Sequence, residues 1–302
     1  MATTRVGFIG LGIMGRSMAR NILGRGFPLL VYNRTAGRTA DLAALGATVA
    51  KSPRAVAEQA DVTCMCVTGP ADVLALVTGP DGVAAGARPG SLFVDLSTIG
   101  PAMARQVAEL LAAHGVAALD APVTGGDTGA AAGTLTIMVG GDEAAFARAR
   151  PVLEAMGTHI FHLGPAGAGQ AAKVVANLIG GINLAAAAEG LALGRRFGLD
   201  PAGFLAVLEE SSARSASLSL LGQRLATGND RPGFSVANRH KDLALAMDMA
   251  EQVGLPLPVS ALVTQLFAAV RGQGLADRDQ TVYHRLLEHW ITAPDNGQPR
   301  PA

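Results

Sequence analysis

The sequence predicts an α/β protein: a doubly wound, largely parallel sheet in the N-terminal part, followed by an all-α domain. From Arg5 to about Leu163, short apolar runs alternate with amphipathic helical patterns, which is typical of βαβ units. After Leu163, long Ala- and Leu-rich helical segments broken by Gly and Pro replace them. This change predicts two domains, residues 1–164 and 165–302, which the length of 302 residues also favours.

The elements of the first domain follow from apolar runs bounded by turn residues. Strands are expected at 6–9, 29–32, 62–67, 92–96, 116–121, 134–139 and 159–162. Helices are expected at 12–23, 39–45, 53–59, 101–113 and 142–155, and the small residues 127–133 are expected to form a loop. In the second domain, helices are expected from the linker 164–169 to about residue 196 and at 201–208, 217–226, 236–253 and 258–271, before a frayed C-terminal tail.

Composition and charge argue against several classes of protein. Apolar residues make up 49% of the chain, charged residues 16%, and the formal net charge is zero, so neither disorder nor nucleic-acid binding is expected. The apolar stretch 174–193 has the length of a membrane span but contains Asn177, Asn183 and Glu189, which favours a buried helix and no membrane contact. The N-terminus shows no signal or transit pattern, so a cytoplasmic protein is expected.

The two cysteines, Cys64 and Cys66, alternate within a strand-like run. Neither they nor the histidines form a set with the spacing of metal ligands. Buried sheet positions are therefore expected for both cysteines, and no metal site is expected.

A glycine-rich turn follows the first predicted strand. The run Gly10-Leu11-Gly12-Ile13-Met14-Gly15 is a G-x-G-x-x-G pattern between a strand and a helix, the context that this motif requires. Gly10 allows the tight turn, Gly12 lets backbone amides approach a pyrophosphate, and Gly15 permits close packing of the helix. An ordinary glycine turn is the alternative. The motif predicts a Rossmann domain that binds a dinucleotide.

The end of the second predicted strand bears on the choice of dinucleotide. An acidic residue there pairs with a ribose 2′-OH, whereas an arginine can hold a 2′-phosphate. This chain has Asn33-Arg34-Thr35, without a carboxylate, which favours NADP(H) over NAD(H). The alternative is that Arg34 is a solvated residue at a helix start.

Small polar residues follow later strands, at the edge where ligands bind in open α/β sheets. Val67 and Thr68 lie at the C-terminal end of one predicted strand and Thr98 at that of the next, so these residues are candidates for lining the cofactor ribose and nicotinamide. Thr124, Gly125 and Gly126 follow a further strand and could hold a small carboxylate through amides and a hydroxyl. Ordinary loop polarity and a plain turn are the alternatives.

Two groups of polar residues in the second half of the chain are candidates for a role in catalysis. Lys173 and Asn177 are four residues apart on one face of a predicted helix, among small and apolar neighbours. A buried, protonated lysine can stabilise a developing alkoxide and donate a proton to it. His240-Lys241-Asp242 forms a second polar group, for which a charged helix face is the alternative.

Four separated runs together resemble the β-hydroxyacid dehydrogenase family, which includes 3-hydroxyisobutyrate dehydrogenases and tartronate semialdehyde or glyoxylate reductases. The resemblance spans nearly the whole chain and is carried by 8–15, Asp120-Ala121-Pro122-Val123-Thr124-Gly125-Gly126, 169–177 and Lys241-Asp242. It implies that Lys173 is the catalytic acid/base, that Asn177 and Thr124 orient the substrate, and that Gly125 and Gly126 bind its carboxylate. It implies further that Thr98 lies beside the nicotinamide, and that Phe234, Lys241 and Asp242 close the site, with Lys241 also near the cofactor.

The expected function is hydride transfer between NADP(H) and a small 3-hydroxy acid or semialdehyde, such as tartronate, succinic or methylmalonic semialdehyde, or glyoxylate. Many relatives have Ser where this chain has Thr124, and the added methyl group is expected to change the pocket. The resemblance also implies a homodimer or homotetramer. Two alternatives are an imine reductase of the same fold, which usually has Asp or Tyr in place of Lys173, and a non-catalytic NADP(H)-binding scaffold, which lacks the lysine.

Overall fold

The computed structural model describes residues 4–229 and 231–287. The chain divides into two compact units, residues 1–175 and 176–302. The first unit is built on a six-stranded parallel sheet with the order β3-β2-β1-β4-β5-β6. These strands are β1 Val6–Ile9, β2 Leu29–Tyr32, β3 Thr48–Val49, β4 Val62–Met65, β5 Leu92–Asp95 and β6 Ala117–Asp120. The predicted α/β class with a Rossmann sheet is confirmed.

Helices cover this sheet. They are α1 Ile13–Gly24, α2 Ala40–Ala44, α3 Pro53–Ala57, α4 Pro70–Thr78, α5 Val83–Gly86, α6 Pro101–Ala112, α7 Gly126–Ala132 and α8 Glu143–Leu153, with a 3₁₀ turn at Ala36–Thr39. Alternate residues of the strands point to opposite faces, so Phe8 joins one apolar cluster and Ile9 another. The sheet is therefore buried on both sides, as parallel sheets require.

A second, three-stranded sheet has the order β7-β8-β9, with β7 Val123–Thr124, β8 Leu135–Val139 and β9 Gly157–His162. The predicted strands at 134–139 and 159–162 thus exist but belong to this separate sheet. Strand β7 pairs with β8 in the antiparallel direction, while β8 and β9 are parallel. A single antiparallel bridge between Asp120 and Gly140 brings the chain from β6 beside this sheet.

The loop expected at 127–133 is wrong, because most of it is helix α7. The run contains consecutive alanines, which are strong helix formers, and Gly133 ends the helix in the left-handed conformation. Helix α4 and the two-residue strands β3 and β7 were also not expected from the pattern. A strand of two residues is too short to show the alternation of apolar and polar residues by which strands are recognised.

The second unit is helical within its described residues, as predicted. Its elements are α10 Pro201–Glu209, α11 Ala216–Thr227, α12 Val236–Gln252 and α13 Pro258–Val270, followed by a π-helical turn at Arg271–Leu275 and a 3₁₀ turn at Gln280–Tyr283. Their apolar faces surround Leu184, Leu221 and Phe267, and the rings of Phe267 and Tyr283 lie 5.0 Å apart. The predicted frayed tail lies outside the described residues.

Helix α9, Ala168–Arg196, has 29 residues and begins in the first unit. The predicted boundary at residue 164 lies in the linker before α9, whereas the two compact units divide within α9. The helix is long and apolar enough to cross a membrane by length and composition, yet only 28% of its most apolar window is buried. The expectation of a buried helix is therefore wrong for the single chain. A helix of this length spans roughly 43 Å.

The carboxylate of Asp120 holds the first turn of α9. Asp120 Oδ1 accepts a hydrogen bond from the Gly167 amide at 2.7 Å, and Oδ2 accepts one from the Gln170 amide at 2.8 Å. Burial raises the pKa of Asp120, and these amide hydrogen bonds oppose that rise. The end of β6 is thereby tied to the start of α9.

We expect Asp120→Ala to lower the free energy of unfolding by about 2–5 kcal/mol, because two buried amides each lose their acceptor. Urea denaturation followed by circular dichroism measures the change. Asp142→Ala is the matched control, since Asp142 caps α8 by accepting from the Ala145 amide at 3.0 Å in a less buried setting. That control should cost about 1 kcal/mol. Equal losses in the two variants would contradict the role given to Asp120.

Candidate dinucleotide and substrate site

The glycine turn after β1 leaves room for a ligand where the motif requires it. Gly10 has φ 94°, and a Cβ there would collide with the Cys66 carbonyl, while a Cβ at Gly15 would collide with the Gly10 carbonyl. A Cβ at Gly12, by contrast, would meet no described heavy atom within 4 Å. Gly10 and Gly15 are therefore required by the fold, whereas Gly12 keeps open the space before α1.

Helix α1 begins at Ile13, directly after this turn. Its first amides have no partner within the helix, and the helix dipole favours an anion at that end. Leu11 is buried, whereas Ile13 is 60% exposed beside the open space. The turn formed by Gly10, Leu11, Gly12, Ile13, Met14 and Gly15 thus fits the pyrophosphate of a dinucleotide.

Asn33 braces the glycine turn. Its Oδ1 accepts a hydrogen bond from the Leu11 amide at 2.9 Å, and its Nδ2 donates to the Thr35 carbonyl at 3.0 Å. Arg34 lies beside it with a side chain that is 90% exposed, 4.0 Å from Asp72 Oδ1. An exposed pair of this kind is weak. The guanidinium is therefore accessible to a phosphate, which was the sequence argument for NADP(H).

The predicted residues after β4 and β5 lie at the same edge of the sheet. The Val67 amide donates to Ser97 Oγ at 2.9 Å, which joins the two strand ends. Thr68 is exposed and Thr98 is half-buried. Because the carboxyl ends of parallel strands share one edge, these residues and the glycine turn face the same region.

Thr124, Gly125 and Gly126 form the turn between β7 and α7. Thr124 pairs with Thr136 in the second sheet, and both glycines are exposed. Their φ angles of 132° and 67° lie in the region that favours glycine. A small anion could therefore approach the backbone of the two exposed glycines.

Lys173 is buried in α9, with only 7% of its surface exposed. A lysine is almost never so buried unless its charge is used or compensated. Gln170, one turn earlier, is fully buried and hydrogen-bonded through its side chain to the Ser97 carbonyl. Sequence reasoning missed Gln170; its signal was a polar side chain among the small residues that precede Lys173.

In the second unit, three of the predicted residues form one cluster. Asn177 Nδ2 donates to Asp242 Oδ2 at 2.5 Å, and Lys241 Nζ lies 3.0 Å from Asp242 Oδ1. A carboxylate only accepts hydrogen bonds, so the amide nitrogen of Asn177 must face Asp242. This leaves Asn177 Oδ1 as the atom that can accept a hydrogen bond from a substrate hydroxyl.

Arg239 was not predicted, yet it organises this cluster. Its Nη1 donates to the Asn177 carbonyl at 2.6 Å, its Nε donates to Gln280 Oε1 at 2.7 Å, and its guanidinium lies 4.9 Å from the centre of the Phe234 ring. Burial lowers the pKa of Arg239 to about 10, although Asp242 and Asp279 favour its charge. Phe234 was expected to close the site, and here its ring packs against Arg239.

His240, beside Lys241, lies in surroundings that disfavour its charged form. Burial and the nearby Arg271 lower the pKa of His240, and Arg271 Nη1 donates to His240 Nδ1 at 2.8 Å. In the polar trio of the sequence, Asp242 is thus buried beside Lys241, whereas His240 contacts Arg271.

The two units thus present separate groups of predicted residues. The first carries the glycine turn, Asn33 to Thr35, the Val67, Thr68 and Thr98 edge, the 124–126 turn and Lys173. The second carries Asn177 with Phe234, Lys241 and Asp242. Lys173 and Asn177 both belong to helix α9, four residues apart in the sequence.

Family models match both parts of the chain. Residues 5–164 match the NAD binding domain of 6-phosphogluconate dehydrogenase, and residues 167–287 match a model described as NAD-binding of NADP-dependent 3-hydroxyisobutyrate dehydrogenase. Between them, the two models cover nearly all of the described residues.

Proteins with established names are similar over almost their whole length. The 3-hydroxyisobutyrate dehydrogenase of Pseudomonas aeruginosa is 42% identical over 272 residues, 88% of this chain and 91% of that protein. The NAD-dependent L-serine dehydrogenase of the same organism is 38% identical over 301 residues, 97% of this chain and 99% of that protein. A structure of Mycobacterium tuberculosis 3-hydroxyisobutyrate dehydrogenase with L-serine superposes with a TM-score of 0.87 at 36% identity, covering 95% of this chain and 99% of that one.

Two glycines of the turn, Gly12 and Gly15, give a test that separates folding from binding. Gly12→Ala should leave the free energy of unfolding within about 0.5 kcal/mol of the unmodified protein, yet weaken NADPH binding about tenfold or more by filling the open space. Gly15→Ala should lower the free energy of unfolding by about 1–3 kcal/mol, because its Cβ has no room. Urea denaturation and fluorescence titration with NADPH measure the two effects. Unchanged NADPH affinity in Gly12→Ala would show that the dinucleotide does not bind at this turn.

Proposed function

The chain belongs to the β-hydroxyacid dehydrogenase family, and from that premise we propose that it interconverts a small 3-hydroxy acid and its semialdehyde with NADP(H). The members it resembles are oxidoreductases that act on CH–OH groups, and nicotinamide dinucleotide binding is common to them. Their names differ in substrate and, in one case, specify NAD. What we propose beyond family membership is therefore the substrate class and the preference for NADP(H) over NAD(H).

The observation that carries the proposal is the buried Lys173 on α9, one turn before Asn177. When bound, the dinucleotide supplies or accepts the hydride at the substrate carbon. In the reducing direction, the Lys173 ammonium neutralises the charge that develops on the carbonyl oxygen and protonates that oxygen. In the oxidising direction, Lys173 accepts the hydroxyl proton.

Other residues of the chain hold and orient the substrate in this proposal. The Gly125 and Gly126 amides and the Thr124 hydroxyl bind its carboxylate, because a turn with accessible amides suits a small anion. Asn177, fixed by Asp242, accepts a hydrogen bond from the substrate through Oδ1. Lys241 stays near Asp242, adds positive charge, and is proposed to contact both substrate and cofactor, with Phe234 beside Arg239 at the edge of the cluster.

The preference for NADP(H) is argued from Arg34. Its guanidinium is exposed at the end of β2, where a dinucleotide on the glycine turn presents the adenosine ribose. Asn33 supports the turn and leaves no carboxylate to pair with a free 2′-OH. These features favour a 2′-phosphate. The run Asn33-Arg34-Thr35 also resembles the reductase branch of the family, which uses NADPH, and this resemblance favours reduction of a semialdehyde or glyoxylate.

We also propose a homodimer or homotetramer. Large apolar side chains of α9 and its surroundings are exposed in the single chain, with Phe197 80% exposed. An exposed apolar surface of this kind is typical of a protein interface.

An imine reductase is the second enzymatic candidate, and Lys173 is the observation that disfavours it. Imine reductases of this fold usually have Asp or Tyr at that position. A non-catalytic NADP(H)-binding scaffold is disfavoured by the same residue, because relatives that serve as such scaffolds lack the lysine.

Lys173→Met tests the reaction chemistry, because methionine fills a similar volume but has no amino group that could donate a proton. We expect kcat for reduction of succinic or methylmalonic semialdehyde with NADPH to fall about 100- to 10,000-fold. The dissociation constant of NADPH should change less than about threefold, because the glycine turn is untouched. Stopped-flow absorbance at 340 nm and fluorescence titration measure the two quantities.

Lys51→Met is the matched control, because Lys51 is an exposed lysine after the edge strand β3. It should keep kcat within about twofold of the unmodified protein. If Lys173→Met kept more than about a tenth of the original kcat, Lys173 would not be the acid of this reaction.

Arg34→Asp tests the cofactor preference. The ratio of kcat/KM with NADPH to kcat/KM with NADH should fall about 10- to 100-fold, because one charge-assisted contact to the 2′-phosphate is replaced by a repulsion. Steady-state kinetics with each coenzyme measure the ratio. Arg25→Asp, an equal charge change at the far end of α1, serves as the control and should leave the ratio unchanged. A constant ratio in both variants would rule out the role proposed for Arg34.

A further inference from the structure

The side chain of Gln170 is fully buried at the start of α9, and both its amide oxygen and its amide nitrogen bind backbone partners. Its Oε1 accepts hydrogen bonds from the Ile99 amide at 2.9 Å and the Gly100 amide at 3.1 Å. Its Nε2 donates to the Ser97 carbonyl at 2.7 Å. One side chain therefore binds the turn between β5 and α6 at three points.

These three hydrogen bonds are made to the residues on both sides of Thr98. The Ser97 carbonyl precedes Thr98 in the chain and the Ile99 amide follows it, so both of its flanking peptide groups are held by the same amide. The turn is also fixed from the sheet side, because the Ser97 amide donates to Asp95 Oδ1 at 2.9 Å. The backbone of Thr98 has little freedom to move relative to Gln170.

Gln170 is itself part of helix α9, so it connects the Thr98 turn to that helix. The Gln170 backbone amide donates to Asp120, which anchors this first turn of α9 to the end of β6. Lys173 is three residues further on, so it lies on the next turn of the same helix. Within the first unit, Gln170 therefore links the Thr98 turn directly to the helix that carries Lys173, while Asp120 anchors the start of that helix.

We propose that Gln170 is a positioning residue that fixes the distance between the Thr98 turn and Lys173. The inference rests on the proposed function, in which Thr98 lies beside the nicotinamide and Lys173 donates the proton. Hydride and proton must reach adjacent atoms of one carbonyl group, and an error of about 1 Å in such a geometry can reduce a rate 100-fold. Gln170 acts through these two residues and not on the substrate.

The chemistry of the site explains why a neutral amide is needed. Two backbone amides face Oε1 and one carbonyl faces Nε2, so the side chain must accept on one side and donate on the other. A carboxylate would accept from Ile99 and Gly100 but repel the Ser97 carbonyl. A methionine of similar length would satisfy none of the three.

Three variants test the inference. In Gln170→Met, kcat should fall about 10- to 100-fold while the dissociation constant of NADPH changes less than about threefold. In Gln170→Glu, kcat relative to the unmodified protein at the same pH should rise as the pH falls from 8 to 6. The pKa of a buried carboxyl group at this position is raised, and its protonated form can donate to Ser97. Gln170→Met should show no such recovery.

The third variant, Asp61→Ala, is the control for a structural effect. Asp61 also joins strand ends, by accepting from the Arg5 amide at 2.9 Å and from Arg88 at 2.9 Å, but it precedes β4 at the opposite edge of the sheet. Its kcat per folded protein should stay within about twofold of the original. If Gln170→Met behaved like Asp61→Ala, with loss of stability and unchanged kcat, the positioning role would be overturned.

Hydrogen exchange in the cofactor-free protein gives a readout that does not depend on the reaction. The amides of residues 97–100 and 171–174 should exchange about tenfold faster in Gln170→Met, while those of β2 stay unchanged. Unchanged exchange at 97–100 would overturn the inference even in an active enzyme. An unmodified protein that is inactive on every acid substrate would instead refute the proposed function, and the exchange rates would still decide whether Gln170 fixes this turn.

Discussion

The carboxylate of Asp120 is the contact on which the arrangement of the site depends. It stands at the end of the last strand of the parallel sheet and accepts the Gly167 and Gln170 amides at the start of α9. A buried carboxylate is costly unless hydrogen bonds compensate it, and here the compensation comes from the first turn of a helix. The same bonds that satisfy the carboxylate therefore place α9, and with it Lys173, against the edge of the sheet where dinucleotides bind.

The second unit meets a similar constraint by pairing buried charges. Asp242 is almost fully buried beside Asn177 and Lys241, and Arg239 lies nearby with its guanidinium bound to the Asn177 carbonyl. Removing one member would leave another charge buried without compensation, which costs more than the pair contributes. The cluster therefore orients Asn177 as a consequence of satisfying its own charges. Both units fix a residue of α9 by the hydrogen bonds that burial demands.

The parts of the structure that were predictable are those with local causes. The glycine turn, the strands at 6–9 and 29–32, and the long helices follow from period and turn chemistry alone. The helix α7 was missed because its alanines also suit a loop of small residues, and β3 and β7 depend on the strands beside them. Gln170 and Arg239 could not be identified by spacing, because their partners lie far away in sequence: Asp120 is 50 residues from Gln170, and Asn177 is 62 residues from Arg239.

The most direct test of the account is the oxidation of NADPH and NADH by the unmodified protein with a panel of carbonyl substrates. The panel contains succinic, methylmalonic and tartronic semialdehydes, glyoxylate and a cyclic imine. We expect turnover of at least one semialdehyde or of glyoxylate, with a higher kcat/KM for NADPH than for NADH, and no turnover of the imine. Turnover of the imine alone would contradict it and would make this protein an imine reductase that retains Lys173.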